Sequence, residues 1–152
     1  MIRRLNLQRP DQAERLVALQ RASYRVEADL IGYDDLPPLR ESAADLAASG
    51  ETLWGYFVEA ELAGAIGYTC DDDVLDIHRL AVSPAHFRRG IAAALLTQAE
   101  DGARAAGVRR VIVSTGAANA PAVAFYQRAG FRLAHQNEVV PGLLIVHFVK
   151  RW

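Results

Sequence analysis

Apolar and polar positions follow two different periods along this chain, and the switches between them mark its elements. Ile2, Leu5 and Leu7 predict a short opening strand over residues 2–8. After Asp11, the residues Leu16, Val17, Leu19 and Tyr24 recur at helical spacing and predict an amphipathic helix. Asp11 suits its N-cap, with Glu14 three residues later as the reciprocal partner of a capping box. The run from Ile31 to Pro38 breaks the helix, because Pro37 and Pro38 lack backbone donors and force an extended or turning path. A short second helix over 42–48 ends near Gly50, a suitable C-cap.

The period then becomes two. Residues 52–59 place Trp54, Tyr56 and Val58 on one side and Leu53 and Phe57 on the other, which predicts a strand. Residues 62–70 and 74–82 predict two more, separated by the solvated turn Asp71, Asp72, Asp73 and stopped by Ser83 and Pro84. From Gly90 to Ala106, Ile91, Leu95, Ala99 and Ala103 return to helical spacing, and Gly107 ends that helix. A buried strand over 108–113 follows, then a helix over 119–129 that tolerates Pro121 in its first turn. Strands over 131–138 and 143–151 close the chain around Pro141 and Gly142. The predicted order is β, α, α, β, β, β, α, β, α, β, β, without repeats or a linker.

At 152 residues the chain has the length of a single domain, taken as 1–152. With 51% hydrophobic and 23% charged residues it reads as a folded globule. A formal charge of −1 gives no bulk attraction to nucleic acid or anionic lipid, so any bound anion needs a local set of donors. The single Cys70 excludes an internal disulfide and a thiolate metal cluster, and the four histidines lack metal-ligand spacing. No metal is expected. No targeting or membrane-spanning run is visible, so the expected address is cytoplasmic.

The junction from Val82 through Ala92 concentrates the chemistry. A strand ends, a loop bends, and a helix begins at a glycine. Helix starts carry unpaired N–H groups and a positive dipole end. Gly90 and Ala92 let an anion approach those amides, and Arg88 and Arg89 add charge, which makes a pyrophosphate seat. Taken alone, the string also fits an ordinary β–α turn. Downstream, Asn119, Ala122, Phe125, Tyr126, Gly130 and Phe131 form a second motif.

Together, and in this order, the two segments resemble the GNAT superfamily of acyl-CoA-dependent N-acyltransferases. The first is similar to its Gln/Arg-x-x-Gly-x-Gly/Ala loop, with Phe87 in place of the usual Gln or Arg. The second is similar to its Asn-x-x-Ala-x-x-Phe-Tyr-x-x-x-Gly-Phe signature. The resemblance implies an α/β fold with a mixed, mostly antiparallel sheet, helices on both faces, and acyl-CoA held between splayed parallel strands. It implies acetyl-CoA as cosubstrate and an amine, small or peptidic, as acceptor. Leu80 and Val82 would offer backbone groups to the pantetheine arm. Arg88, Arg89, Gly90, Ile91 and Ala92 would hold the pyrophosphate, Asn119 would touch the pantetheine, and Tyr126 would stand near the sulfur.

The residue types suit that chemistry. A phenol has a pKa of about 10 and a thiol one of about 8.5, so Tyr126 can serve the leaving thiolate as general acid and stay protonated at neutral pH. An acceptor ammonium must lose a proton before it attacks. Asp76 and His78, alternating on one face of the strand that leads to Leu80, are the candidate base or water relay; they read equally as solvated residues. In this family the segment between the first two helices borders the acceptor. Here it spans 24–39 and holds Glu27, Asp29, Tyr33, Asp34 and Asp35. Tyr33, Asp34 and Asp35, with Trp54 and Tyr56 as an aromatic wall, are therefore expected to receive a cationic acceptor. Two other readings stand beside this one: a non-catalytic acyl-CoA sensor and a toxin that acylates aminoacyl-tRNA. No nucleic-acid or membrane partner is expected, and a homodimer is left open.

Overall fold

The computed structural model describes residues 1–152. Its elements are β1 (Ile2–Arg4), α1 (Pro10–Ile31), α2 (Ala43–Ala47), β2 (Thr52–Val58), β3 (Glu61–Asp71), β4 (Val74–Val82), α3 (Ile91–Ala105), β5 (Arg110–Gly116), α4 (Ala120–Arg128), β6 (Arg132–Val140) and β7 (Leu143–Arg151). The seven strands form one sheet in the order β1-β2-β3-β4-β5-β7-β6. Every neighbouring pair is antiparallel except β4 and β5. The element order agrees with the pattern of the sequence, and the mixed, mostly antiparallel sheet with what the resemblance implies.

Two apolar clusters sandwich the sheet. One gathers Ile91, Leu95, Leu96 and Ala99 of α3 with Ile66, Leu75, Ile77, Val111, Val113 and Phe148. The other gathers Leu16, Val17 and Leu19 of α1 and Leu46 of α2 with Leu53, Leu62 and Ala81. Leu16 and Leu95 have no exposed surface, and truncating either to Ala would cost about 2–5 kcal/mol.

Helix starts differ from the sequence reading. Arg9, not Asp11, is the N-cap of α1, because Pro10 takes the first helical position; Asp11 lies in the first turn, where its charge favours the dipole. The reciprocal capping box belongs to α2, between Ser42 and Asp45. Helix α1 continues to Ile31 and ends at Gly32, whose φ of +70° suits glycine. Residues 24–31, expected to belong to the acceptor-side connection, are therefore helical.

A buried ion network fixes what remains of that connection. Arg79 of β4 donates to Glu51 from Nε (2.8 Å) and Nη2 (2.6 Å). Its Nη1 donates to Glu41 (2.7 Å) and to Gln20 of α1 (2.6 Å). Gln20 in turn donates to the Pro38 carbonyl at 3.3 Å. Helix α1, the segment around Pro38–Glu41 and the lead into β2 are thus tied to one guanidinium.

Candidate active site

Strands β4 and β5 pair at only three positions, Val74 with Arg110, Leu75 with Val111 and Asp76 with Ile112. Beyond Asp76, β5 stays bonded to β7 and β4 to β3, so the two parallel strands fork. A cavity of about 790 Å³ occupies the fork, lined by Leu80 and Val82 on one side and Asn119, Phe125 and Tyr126 on the other. On β4, Tyr68 of β3 faces Ile77 and Gly67 faces Arg79, which leaves His78 as the extra residue of a β-bulge. The bulge separates the faces of His78 and Leu80, which simple alternation would have placed together.

The start of α3 forms the cavity's outer end. Arg88, Gly90, Ile91 and Ala92 line it, whereas Arg89 is exposed outside the lining. The first intrahelical bond runs from the Ala94 amide to the Gly90 carbonyl (3.0 Å), so the amides of Ile91, Ala92 and Ala93 have no helical partner. Arg88 (φ +64°) and Gly90 (φ +76°) both adopt left-handed backbone. A Cβ on Gly90 would meet no atom within 4 Å, so it is the backbone angle that requires glycine, and the space above it is open. His86 lines the same cavity in a buried position, and its Nδ1 has no hydrogen-bond partner.

Tyr126 is buried on α4 and reaches the same cavity. Its ring meets Phe125 and Phe131 edge-on, with centroids 5.2 and 5.5 Å away. Burial foremost, then the nearby Tyr24 and Glu27, raises its pKa, so the phenol keeps its proton. Asn119 is also buried and caps α4 by accepting the Ala122 amide (3.3 Å). It therefore has a structural duty besides the cavity wall.

A second cavity, of about 170 Å³, opens on the α1 side of the fork. Tyr24, Ile31, Leu36, Pro38, His78, Ser114 and Ile145 line it. Glu27 lines both cavities. Thr115 Oγ1 donates to its Oε1 at 3.3 Å, and Asn119 and the Gly116 backbone also serve the carboxylate. Burial nonetheless raises the Glu27 pKa above the ordinary carboxylate value. The sequence counts Glu27 with Asp29, Asp34 and Asp35 among the carboxylates of the acceptor-side segment, and does not single it out from them. The signal lay in the stripe itself: Gln20, Tyr24, Glu27 and Ile31 continue the inward face of α1 at spacings of four, three and four, so the polar members stand on a core face.

The remaining expected residues separate. His78 reaches the small cavity, with Nε2 2.8 Å from Thr69 Oγ1 and 3.9 Å from Asp76 Oδ2. Asp76 lines neither cavity, because it sits where the fork is still closed. Trp54 and Tyr56 line neither cavity: β2 lies two strands from the fork, and both rings pack against the α3-side cluster. Trp54 donates to the Tyr68 hydroxyl at 2.9 Å. Tyr33, Asp34 and Asp35 line neither cavity either. Asp34 pairs with Arg25 and Asp35 with Arg40 on the exposed surface, so arginines that the sequence pattern left unpaired answer their charges. No cluster of His, Cys, Asp and Glu is arranged to hold a metal ion, and no helix is long and apolar enough to cross a membrane.

The forked parallel pair and the open helix start fall in the segments that carry the resemblance, and the sequence matches agree with it. The acetyltransferase (GNAT) family matches residues 13–131, and the chain belongs to that family. The UPF0157 protein YqkA of Bacillus subtilis (strain 168) is 38% identical over 136 residues, covering 90% of this chain and 39% of that protein. This chain thus spans well under half the length of that relative. The uncharacterized N-acetyltransferase YjgM of Escherichia coli (strain K12) is 29% identical over 136 residues, covering 86% of this chain and 81% of that protein. Among solved structures, the PaiA N-acetyltransferase of Thermoplasma acidophilum in complex with coenzyme A superposes with a TM-score of 0.83 at 21% identity, covering 100% of this chain and 98% of that one. The ribosomal-protein-S18-alanine N-acetyltransferase of Escherichia coli gives 0.80 at 18% identity, covering 99% of this chain and 92% of that one. At these identities the likeness is one of fold.

Proposed function

We propose that this chain transfers an acetyl group from acetyl-CoA to a primary amine by direct attack in a ternary complex. The observation that carries the reading is the fork: a cavity lined by a helix start with unpartnered amides and by a buried tyrosine. Those amides, with the Arg88 guanidinium, suit a pyrophosphate. Arg89 adds charge from outside. The unpaired edge of β4 around Leu80 and Val82 suits the amide groups of a pantetheine arm, which runs past Asn119 towards Tyr126.

In the reaction an N–C bond forms and the C–S bond breaks. The nitrogen gives up a proton and the sulfur gains one. Tyr126 supplies that proton, since burial keeps its hydroxyl protonated and it lies on the cavity wall. His78, half-exposed in the small cavity with Asp76 behind it, forms the route by which the acceptor's proton leaves. The thioester is already activated, so the step calls for no metal.

Tyr126→Phe tests the assignment. Loss of a positioned proton donor lowers kcat by about 10²–10⁴-fold, while the Kd for acetyl-CoA stays within about twofold. Parental turnover in the variant, with chemistry shown to limit the rate, would make Tyr126 a packing residue.

A further inference from the structure

Glu27 is the one side chain shared by the walls of the two cavities. It comes from α1 and is met across the fork by Thr115 of β5 at 3.3 Å. Asn119, at the start of α4, also serves its carboxylate. Resting on the acetyl-transfer reading, we propose that Glu27 receives the acceptor: its carboxylate binds the incoming ammonium where the cavities meet, takes a proton from nitrogen, and frees the lone pair for attack on the thioester.

The proton count closes. The ammonium gives one proton to Glu27, which releases it through the small cavity past His78 to solvent. The attacking nitrogen gives its second proton to the emptied Glu27 carboxylate as the amide forms, the sulfur takes one up from Tyr126, and a proton from solvent restores the Tyr126 hydroxyl, so one proton in all is released for each amide and thiol formed. Burial makes this carboxylate a stronger base than a solvated one, against the hydrogen bonds from Asn119, Thr115 and Gly116. The titratable groups that face it are Tyr24 of its own helix, Tyr126 of α4 and His78 of β4.

The same geometry sets the acceptor class. No lysine or arginine lines the small cavity, and Arg79 of the adjoining strand is already held by Glu41 and Glu51. An amine with a carboxylate on the neighbouring carbon would set that carboxylate against Glu27 with no cation to hold it. Ile31, Leu36 and Ile145 instead offer apolar contact. The site fits a primary amine on a slim, uncharged stem and disfavours free α-amino acids.

The experiment compares the parent, Glu27→Gln and Glu27→Asp with butylamine, alaninamide and alanine as acceptors. The parent is expected to prefer alaninamide over alanine by at least about tenfold in kcat/KM. Glu27→Gln should lower kcat/KM for butylamine at least about 10²-fold and shrink the alaninamide preference towards unity, with acetyl-CoA affinity and the melting transition retained. Glu27→Asp should recover part of the rate, which a merely space-filling role would not give. Parental turnover and preference in Glu27→Gln would overturn this proposal alone. A parent protein that acetylates no primary amine would overturn both this proposal and the reading it rests on.

Discussion

Thr115 of β5 donates a hydrogen bond to Glu27 of α1 across 88 residues of sequence, at 3.3 Å. That contact ties helix α1 to strand β5 at the residue that lines both cavities. It also holds a carboxylate where burial penalises its charge. The stability of the molecule and the chemistry of the site therefore pull in opposite directions at Glu27.

Because burial raises the folded-state pKa of Glu27, the folded chain binds that proton more tightly than the unfolded chain does. Stability then falls as pH rises from the unfolded value, about 4.3, through the folded one, and the cost is fully present above it. Glu27→Gln removes the cost. At neutral pH the variant should melt at the same temperature as the parent or higher, and its advantage should vanish below pH ~4. A variant that loses more stability at neutral pH than in acid would contradict this sign.

Arg79 is 7% exposed and answers two carboxylates. Arg79→Ala leaves Glu41 and Glu51 without their cation and should destabilise the fold by about 3–5 kcal/mol. Urea titration of the variant measures this; a loss under about 1 kcal/mol would place the network in the class of surface pairs.

Gly90 and Gly107 flank α3, both with positive φ and with open space where a Cβ would stand. Each Gly→Ala change should cost about 1–2 kcal/mol from backbone strain. Only Gly90→Ala should also weaken acetyl-CoA binding, by at least about tenfold in calorimetry. Equal affinities in the two variants would move the pyrophosphate away from the start of α3.

Asp34 and Asp35 are exposed and paired with Arg25 and Arg40. Surface pairs contribute about 0–1 kcal/mol, and neither residue lines a cavity. The double change to Asn should leave the acceptor KM within about twofold. A larger, salt-sensitive rise would return these residues to the site.

Local signals carried most of the architecture. The order of elements, the β4–α3 junction and the α4 signature are all legible in short windows, because periodicity, Gly90 and Pro121 act within a few residues. What depended on long-range pairing was not. The bulge at His78 is set by the register of β3 against β4, and it moves Leu80 to the other face. Trp54 and Tyr56 alternate as the sequence says, yet the strand order carries them two strands from the fork. The acids of the α1–α2 segment looked equivalent in the sequence. Helical phase places Glu27 on the inward stripe of α1, whereas Asp34 and Asp35 lie beyond the end of that helix.

The central claim is acetyl transfer to an amine at the fork. Release of free thiol from acetyl-CoA, followed across a panel of primary amines, tests it most directly. The account predicts saturable, amine-dependent thiol release with an N-acetylated product, reduced together in Tyr126→Phe and Glu27→Gln. Tight binding of acetyl-CoA with no thiol release for any amine would contradict it and leave an acyl-CoA-binding domain without catalysis.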